Sequence, residues 1–193
     1  MPEGPEENEQ DPQPGRGLYE WLQVCLSCVL AAVFVFNFVA RLSRVDGHSM
    51  DPTLQHGELM LVWSLGYSPK QGDVVVLNKT TAEFLNGPGG EAIVKRVIAT
   101  GGQTVDIDYG SGTVSVDGQP LPEPYINGPM MAPGGYMDGT HFEVPENSIF
   151  VMGDNRNAST DSRDVRLGTV DRGYVLGRAC FALFPFSRFG PIR

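Results

Sequence analysis

The chain is poor in lysine and cysteine, and each scarcity narrows the functions open to it. Three of its 193 residues are lysine and three are cysteine. The net charge is −9 and no basic patch occurs, so the electrostatic signature of a nucleic-acid-binding protein is missing. We therefore expect no nucleic-acid partner.

The cysteines form no disulfide framework and no metal motif. Cys25 and Cys28 lie inside an apolar run as "CLSC", and Cys180 lies in "GRACFALF". A CxxC spacing on an apolar helix is better explained by two small buried residues than by redox chemistry. No set of histidine, cysteine and carboxylate residues has the spacing of metal ligands. We expect neither a metal nor a cofactor.

Long apolar runs are missing except for one. Residues 21–40, "WLQVCLSCVLAAVFVFNFVA", carry no charge, and about 20 such residues span the ~30 Å hydrocarbon core of a bilayer. We predict a transmembrane helix over residues 18–42. The alternative, a cleavable signal peptide, needs a basic start and a small-x-small exit, whereas this start is acidic and the exit reads "FVAR". The acidic, proline-rich residues 1–17 are typical of a disordered tail.

The orientation of this helix is ambiguous from charge alone. Arg41 and Arg44 follow it and only Arg16 precedes it. Taken alone, the positive-inside rule places the C-terminal part in the cytoplasm, but so few charges give the rule little power.

Residues 43–193 have the pattern of one β-rich domain. Glycine (24) and proline (15) are plentiful, and charged residues make up only 19%, which favours many turns and short strands. Asp117-Gly118 is a hairpin signal. We predict a mainly β, antiparallel fold, with strands in "ELMLVW", "DVVVLN", "AIVKRVIAT", "TVDIDY", "TVSV", "HFEV", "SIFVMG" and "YVLGRACFALF".

Ser49 is a candidate nucleophile. It lies among turn-forming residues in "VDGHSMDPTLQHGE", directly after the apolar run. A serine hydroxyl needs an adjacent base before it can attack an amide. His48, His56 and His141 are the available histidines. None has the setting of a triad member, so we interpret all three as surface or packed residues.

A lysine is the other possible base. At the ordinary lysine pKa of ~10.4, only about one amine in 2,500 is neutral at pH 7, but burial lowers that pKa. Lys95 interrupts the strand "AIVKRVI", whereas Lys70 and Lys79 lie in turns. Alternation places Lys95 on one face with Ile93 and Val97. Whether this face is buried or exposed to solvent stays open, and periodicity alone favours solvent.

The segment "GDNRNASTDSRD", residues 153–164, is too polar for a strand. Its side chains could form a hydrogen-bonded scaffold beside a site. From the residues alone, a surface turn rich in polar residues is the favoured interpretation.

Three segments occur in a characteristic order behind the apolar run. "GHSMDPTL", "KRVIATGGQTVDI" and "VMGDNRNASTDSRDVRLGTV" resemble the signature boxes of bacterial type I signal peptidases. "GDVVVL" resembles a further box, and "FALFPFSRFG" resembles the usual C-terminal end. The resemblance covers residues 18–193. It implies a barrel-like β domain that cleaves signal peptides from exported preproteins at small-x-small sites, on the extracytoplasmic side of the plasma membrane.

The same resemblance assigns roles to individual residues. It implies that Ser49 is the nucleophile and Lys95 the general base. It also implies that Ser159 hydrogen-bonds the lysine amine and orients it, while Asp161 and Arg163 hold that part of the site together. A Ser–Lys pair is a known variant of the serine–base arrangement.

The chain departs from the family pattern at two points. Gly47 stands where some members have a serine that donates to the oxyanion, and "ATGGQT" replaces a proline-glycine-acid turn. Two other functions remain as alternatives. A self-cleaving repressor-type Ser–Lys peptidase would need a DNA-binding N-terminus, and an inactive membrane-anchored β module that binds secreted proteins would not need Ser49 and Lys95.

Overall fold

The computed structural model describes residues 16–78, 92–131, 136–137 and 139–193. Residues 1–15 of the predicted tail lie outside this part of the chain, as do the predicted loop at 86–90 and part of the predicted loop at 126–139. The first described element is the helix α1, Arg16–Phe34. A five-residue π-helical turn, Val35–Val39, follows it and leads directly into the strand β1, Ala40–Arg44.

The apolar side chains of α1 lie outside the protein core. Its span Gly17–Phe34 is long and apolar enough to cross a membrane, and none of it is buried in the protein. The predicted bounds are wrong at both ends. Residues 16–17, assigned to the tail, are helical, and residues 40–42, assigned to the membrane, are part of a strand. They are a strand because Ala40–Arg44 pairs along its whole length with the strand at residues 59–63.

The remaining strands lie in two antiparallel sheets. They are β2 Leu59–Trp63, β3 Val74–Leu77, β4 Ile93–Thr100, β5 Thr104–Asp108, β6 Thr113–Val116, β7 Gln119–Pro120, β8 His141–Glu143, β9 Ser148–Met152, β10 Val170–Asp171, β11 Val175–Phe184 and β12 Gly190–Pro191. The large sheet has the order β1-β2-β11-β3-β4-β9-β10, with β12 beside β11, and the small sheet has the order β7-β6-β5-β8.

The mainly β prediction is confirmed. All eight predicted strands are present within a residue or two of their expected bounds. Asp117 and Gly118 both have positive φ, as the predicted hairpin between β6 and β7 requires. Sequence analysis missed β1, which continues the apolar run, and the two-residue strands β10 and β12.

Bulges curl the large sheet. The strand β11 changes register three times along its pairings with β2 and β3, and β4 changes register between Val97 and Ala99. Each bulge bends its strand and increases the local twist. At Gly177 in β11 a Cβ would lie 2.3 Å from the carbonyl oxygen of Trp63, so this close approach requires glycine.

The strand β4 lies between β3 and β9 inside the large sheet and is covered on both faces. Val94 packs into a core cluster with Met50 and Met60, while Val97, on the same face as Lys95, packs into another cluster with Val75 and Val151. The six residues from Val94 to Ala99 are all buried. Lys95 therefore does not point into solvent, and the interpretation that periodicity favoured is wrong.

Candidate active site

The structure brings Ser49 and Lys95 together. Ser49 lies in the loop between β1 and β2, and Lys95 lies in the middle of β4, paired with Val75 of β3. The Lys95 Nζ donates a hydrogen bond of 2.8 Å to the Ser49 Oγ and a second of 3.0 Å to the carbonyl oxygen of Val94. Two residues 46 positions apart in sequence are thus in direct contact.

Burial prepares the Lys95 amine for proton transfer. The residue is 4% exposed, and this desolvation lowers the pKa of Lys95 to about 8. The carboxylates of Asp161 and Asp154 oppose the decrease, and the nearby Arg163 guanidinium adds to it. About half of the amine is therefore neutral at pH 8 and able to accept a proton.

Backbone and side-chain contacts on both sides fix the loop that carries the candidate nucleophile Ser49, residues 45–58, which we call the nucleophile loop. On the C-terminal side, the Asn155 N–H donates to the carbonyl oxygen of Ser49 at 3.0 Å, and its side-chain amide donates to that of His48 at 3.0 Å. On the N-terminal side, the Gly47 N–H donates to His56 Nδ1 at 3.1 Å. Gly47 has a φ of +89°, a conformation that favours glycine.

A buried ion pair, Arg96–Asp154, links β4 to the nucleophile loop. Arg96, which follows the base in β4, donates from Nε and Nη2 to the two carboxylate oxygens of Asp154 at 2.8 and 2.6 Å. The Thr53 hydroxyl, on the nucleophile loop, donates to the same carboxylate at 2.5 Å. Arg96 and Asp154 are both at most 2% exposed. The sequence indicated a structural role for Asp154 but not this link to Arg96.

Asp161 and Arg163 form a second buried pair, in the polar segment 153–164. Arg163 donates from Nε and Nη2 to the two oxygens of Asp161, each at 2.8 Å. The Asp161 carboxylate also accepts from the Gly153 N–H at 3.0 Å, and Arg163 donates to the carbonyl oxygen of Arg156 at 2.7 Å. The segment is thus a buried, hydrogen-bonded scaffold rather than a surface turn.

Ser159 lies beside the nucleophile but does not contact the base. It is 6% exposed, and its Oγ is buried with no hydrogen-bond partner. The predicted hydrogen bond to the Lys95 amine is therefore not formed. A Cβ added to Gly153 would lie 2.3 Å from the Ser159 Oγ and 2.4 Å from the Ser49 carbonyl oxygen. Glycine at 153 is what allows the two serines to approach each other.

Ser49 and Lys95 face a small cleft with a volume of about 70 Å³. A wider one of about 420 Å³ adjoins it, since Val45, Asp46 and Ala92 line both. Two segments line these adjoining clefts: residues 43–46, at and just beyond the end of β1, and residues 92–94, at the start of β4. Two extended backbone segments on either side of a groove can bind a peptide as an added strand.

The three histidines lie on the surface, as the sequence indicated. Their side chains are 57–69% exposed, and each pairs with an aspartate: His48 with Asp51, His56 with Asp46, and His141 with Asp106. Among the described residues, no group of three or more histidine, cysteine, aspartate or glutamate side chains could hold a metal ion.

Comparison with known proteins identifies relatives of this chain. A family model described as signal peptidase, peptidase S26, matches residues 18–184. A probable signal peptidase I-1 from Synechocystis is 35% identical over 96% of this chain and 92% of its own length. A signal peptidase I from Bacillus licheniformis is 33% identical over 93% of this chain and 95% of its own.

A solved structure is also similar in part. The crystal structure of a signal peptidase I from Enterococcus faecalis matches 58% of this chain and 97% of its own, at 26% identity and a TM-score of 0.45. The family model and the relatives in Synechocystis and Bacillus, each matched over most of their length, decide the assignment: the chain belongs to the S26 family of signal peptidases.

Proposed function

We propose that Ser49 is the nucleophile and Lys95 the general base with which this signal peptidase, a serine endopeptidase, removes signal peptides. The observation that carries the proposal is the 2.8 Å contact between the Ser49 hydroxyl and a lysine amine that is 4% exposed. A desolvated amine is a competent base near neutral pH, which an exposed lysine is not.

The contacts support a two-step mechanism. The Ser49 Oγ attacks the carbonyl carbon of the scissile peptide while Lys95 Nζ takes the hydroxyl proton, and the Ser49 backbone N–H donates to the resulting oxyanion. Lys95 then gives the proton to the leaving amine as the peptide bond breaks, which forms an acyl-enzyme. Water, deprotonated by the same amine, hydrolyses the ester and restores the Ser49 hydroxyl.

The narrow cleft supports a preference for small side chains next to the cleaved bond. A volume of about 70 Å³ beside the dyad excludes large side chains. Preproteins whose signal peptides end in small-x-small sequences are therefore the proposed substrates. The groove between residues 43–46 and 92–94 would hold them in an extended conformation.

The short distance along the chain between α1 and the nucleophile supports action at a membrane surface. The helix leads through one turn into β1, and Ser49 follows Arg44 by only five residues. A five-residue strand spans about 17 Å. A peptidase anchored in the bilayer by this single helix would meet the cleavage site of a membrane-inserted signal peptide at a fixed depth, which raises the effective concentration of both.

We further propose that the catalytic domain, residues 43–193, lies on the extracytoplasmic side of the plasma membrane. The proposed substrates expose their cleavage sites there. Protease added to intact cells should then digest this domain, whereas a cytoplasmic domain would stay protected until the cells are lysed.

The test of the catalytic assignment is processing of a preprotein by purified enzyme in detergent. Ser49→Ala and Lys95→Met should each lower kcat/KM by at least about 10³-fold, as removal of a nucleophile or its base does in other serine peptidases. Lys70→Met, which neutralises an exposed lysine, is the matched control and should keep wild-type activity. Wild-type processing by either dyad variant would remove the assignment, and a lack of processing by the unmodified protein would favour the inactive β module.

A further inference from the structure

One ring nitrogen of His56, Nδ1, lies close to both a hydrogen-bond donor and a hydrogen-bond acceptor. The Gly47 N–H donates to His56 Nδ1 at 3.1 Å, and a carboxylate oxygen of Asp46 lies 3.2 Å from the same atom. A histidine nitrogen accepts a hydrogen bond only without a proton and donates one only with it. His56 Nδ1 can therefore bond to Gly47 or to Asp46, but not to both.

The choice matters because Gly47 is two residues before the nucleophile. Among the described residues, three hydrogen bonds join backbone atoms of residues 47–49 to residues more than three positions away: two come from Asn155, to His48 and Ser49, and one goes from Gly47 to His56. An asparagine amide does not titrate. Protonation of His56 would remove the third hydrogen bond and leave the other two unchanged.

We propose that His56 is a positioning residue for the nucleophile and makes its placement sensitive to pH. Neutral His56 accepts from Gly47 and fixes the entrance to the Ser49 loop. Protonated His56 turns its Nδ1–H to Asp46, and the Gly47 N–H loses its acceptor. This inference rests on the proposed role of Ser49, since it is the loop of that residue that His56 holds.

The surroundings of His56 combine charges of both signs. Among the described residues, Asp46 and Arg44 line the same wide cleft as His56. The ring of His48 lies 5.7 Å away at 37°, and its own Nδ1 contacts Asp51 at 3.0 Å.

The kinetic test compares log kcat/KM against pH for wild type and His56→Gln. If deprotonation of Lys95 alone controlled activity, log kcat/KM would rise with a slope of one against pH below the Lys95 pKa. We call this the one-proton line. Wild type should fall about fivefold below this line by pH 5.5, the effect expected from the loss of one backbone hydrogen bond. The amide oxygen of glutamine accepts from Gly47 at every pH, so His56→Gln should stay on the line.

Two matched histidine variants test the assignment to His56. His141→Gln removes a histidine–aspartate pair of similar exposure, 57% for each imidazole, but on the small sheet. His48→Gln removes the neighbouring ring. Both should keep the wild-type deviation. A wild type that follows the one-proton line, or a deviation that His48→Gln removes and His56→Gln keeps, would overturn the proposal.

A second measurement does not need activity. Hydrogen exchange of the Gly47 amide is followed in the Ser49→Ala protein and corrected for the intrinsic pH dependence of exchange. Protection should decrease about fivefold between pH 8 and pH 5.5, and His56→Gln should abolish this change. Constant protection in the Ser49→Ala protein would overturn the role of His56. If dyad variants processed preprotein like wild type while protection still depended on pH, the contact of His56 with Gly47 would stand and only the catalytic assignment would be overturned.

Discussion

The Lys95 amine and the Ser49 hydroxyl are 2.8 Å apart because two structural constraints coincide. Both faces of β4 are covered by core clusters, which buries the amine in mid-strand. The nucleophile loop is drawn against this strand by the buried Met50, by Asn155 and by the link from Thr53 through Asp154 to Arg96. The fold thus supplies both the contact and the desolvation that makes the contact useful.

Activity should rise with pH through the titration of Lys95. With a pKa of about 8, roughly one amine in ten is neutral at pH 7, compared with about one in 2,500 for an exposed lysine. The kcat/KM for a preprotein should rise at least about tenfold from pH 6 to pH 7 and level off above pH 8. The exposed Lys70→Met variant should show the same profile, and a flat wild-type profile from pH 6 to pH 9 would exclude Lys95 as the base.

Replacement of the base should stabilise the protein. The pKa of Lys95 is about 8 in the folded chain and 10.5 in its unperturbed state, so between these values the unfolded chain binds more protons and stability rises with pH. Below pH 8 the whole free-energy cost of burying the charged amine is present, roughly 3 kcal/mol at most. Lys95→Met should therefore raise the free energy of unfolding at pH 7 by about 1–3 kcal/mol.

Denaturant titrations of wild type and Lys95→Met at pH 7 and pH 10 measure this effect. The gain should shrink to less than about 1 kcal/mol at pH 10, where the folded amine is already neutral and most of the penalty is gone. Lys70→Met should show no gain at either pH. An equal or lower stability of Lys95→Met at pH 7 would mean that the amine is not desolvated.

Ser159→Ala separates a catalytic role of this hydroxyl from a structural one. Its Oγ is buried without a partner, so its removal should leave the unfolding free energy unchanged or raise it by up to about 1 kcal/mol. If the hydroxyl rotates to the amine during the reaction, as the family resemblance implies, kcat should fall while KM stays within twofold. Unchanged kcat in Ser159→Ala would remove Ser159 from the catalytic group.

Arg188 connects the C-terminal segment to the nucleophile loop. It donates from Nη2 to the carbonyl oxygens of Pro52 and Thr53 at 2.8 and 3.1 Å, and its Nε pairs with Glu58, which is 2% exposed. Arg188→Met leaves that carboxylate buried and unpaired. We expect a loss of about 2–3 kcal/mol of unfolding free energy, less than for a fully buried pair because Arg188 is 35% exposed.

The matched control for Arg188 is Arg178→Met. Arg178 pairs with Asp73 at 3.1 Å and is 46% exposed, so its loss should lower stability by less than about 1 kcal/mol. Thermal unfolding of both variants at pH 7.5 measures the difference. Equal effects of the two substitutions would show that the contacts of Arg188 to the loop add no stability.

The sequence predicts the local elements well because strand alternation and turn residues act over short distances. Thus β2, β4 and the hairpin at Asp117-Gly118 are found where they were expected. The end of the helix is missed because Ala40–Arg44 becomes a strand only through its pairing with β2. The burial of Lys95 is missed for the same reason, since it depends on a second layer that periodicity along one strand does not reveal.

The site residues divide in the same way. Ser49, Lys95 and the contact between Asp161 and Arg163 were indicated by resemblance to a family, whereas the expected contact of Ser159 with the amine is not formed. The links through Arg96 and Asn155, together with the contact of His56 with Gly47, join residues far apart in sequence or in an exposed turn. Only the packed chain brings these partners together.

The protonation state of the Lys95 amine can be measured directly. In the Ser49→Ala protein with ¹³C-labelled lysine, the Cε resonance of Lys95 is assigned by its loss in a Ser49→Ala/Lys95→Met variant and followed from pH 6 to pH 11. A midpoint near pH 8 is the predicted result. A Lys95 midpoint at or above pH 10 would contradict the assignment of Lys95 as the base that activates Ser49.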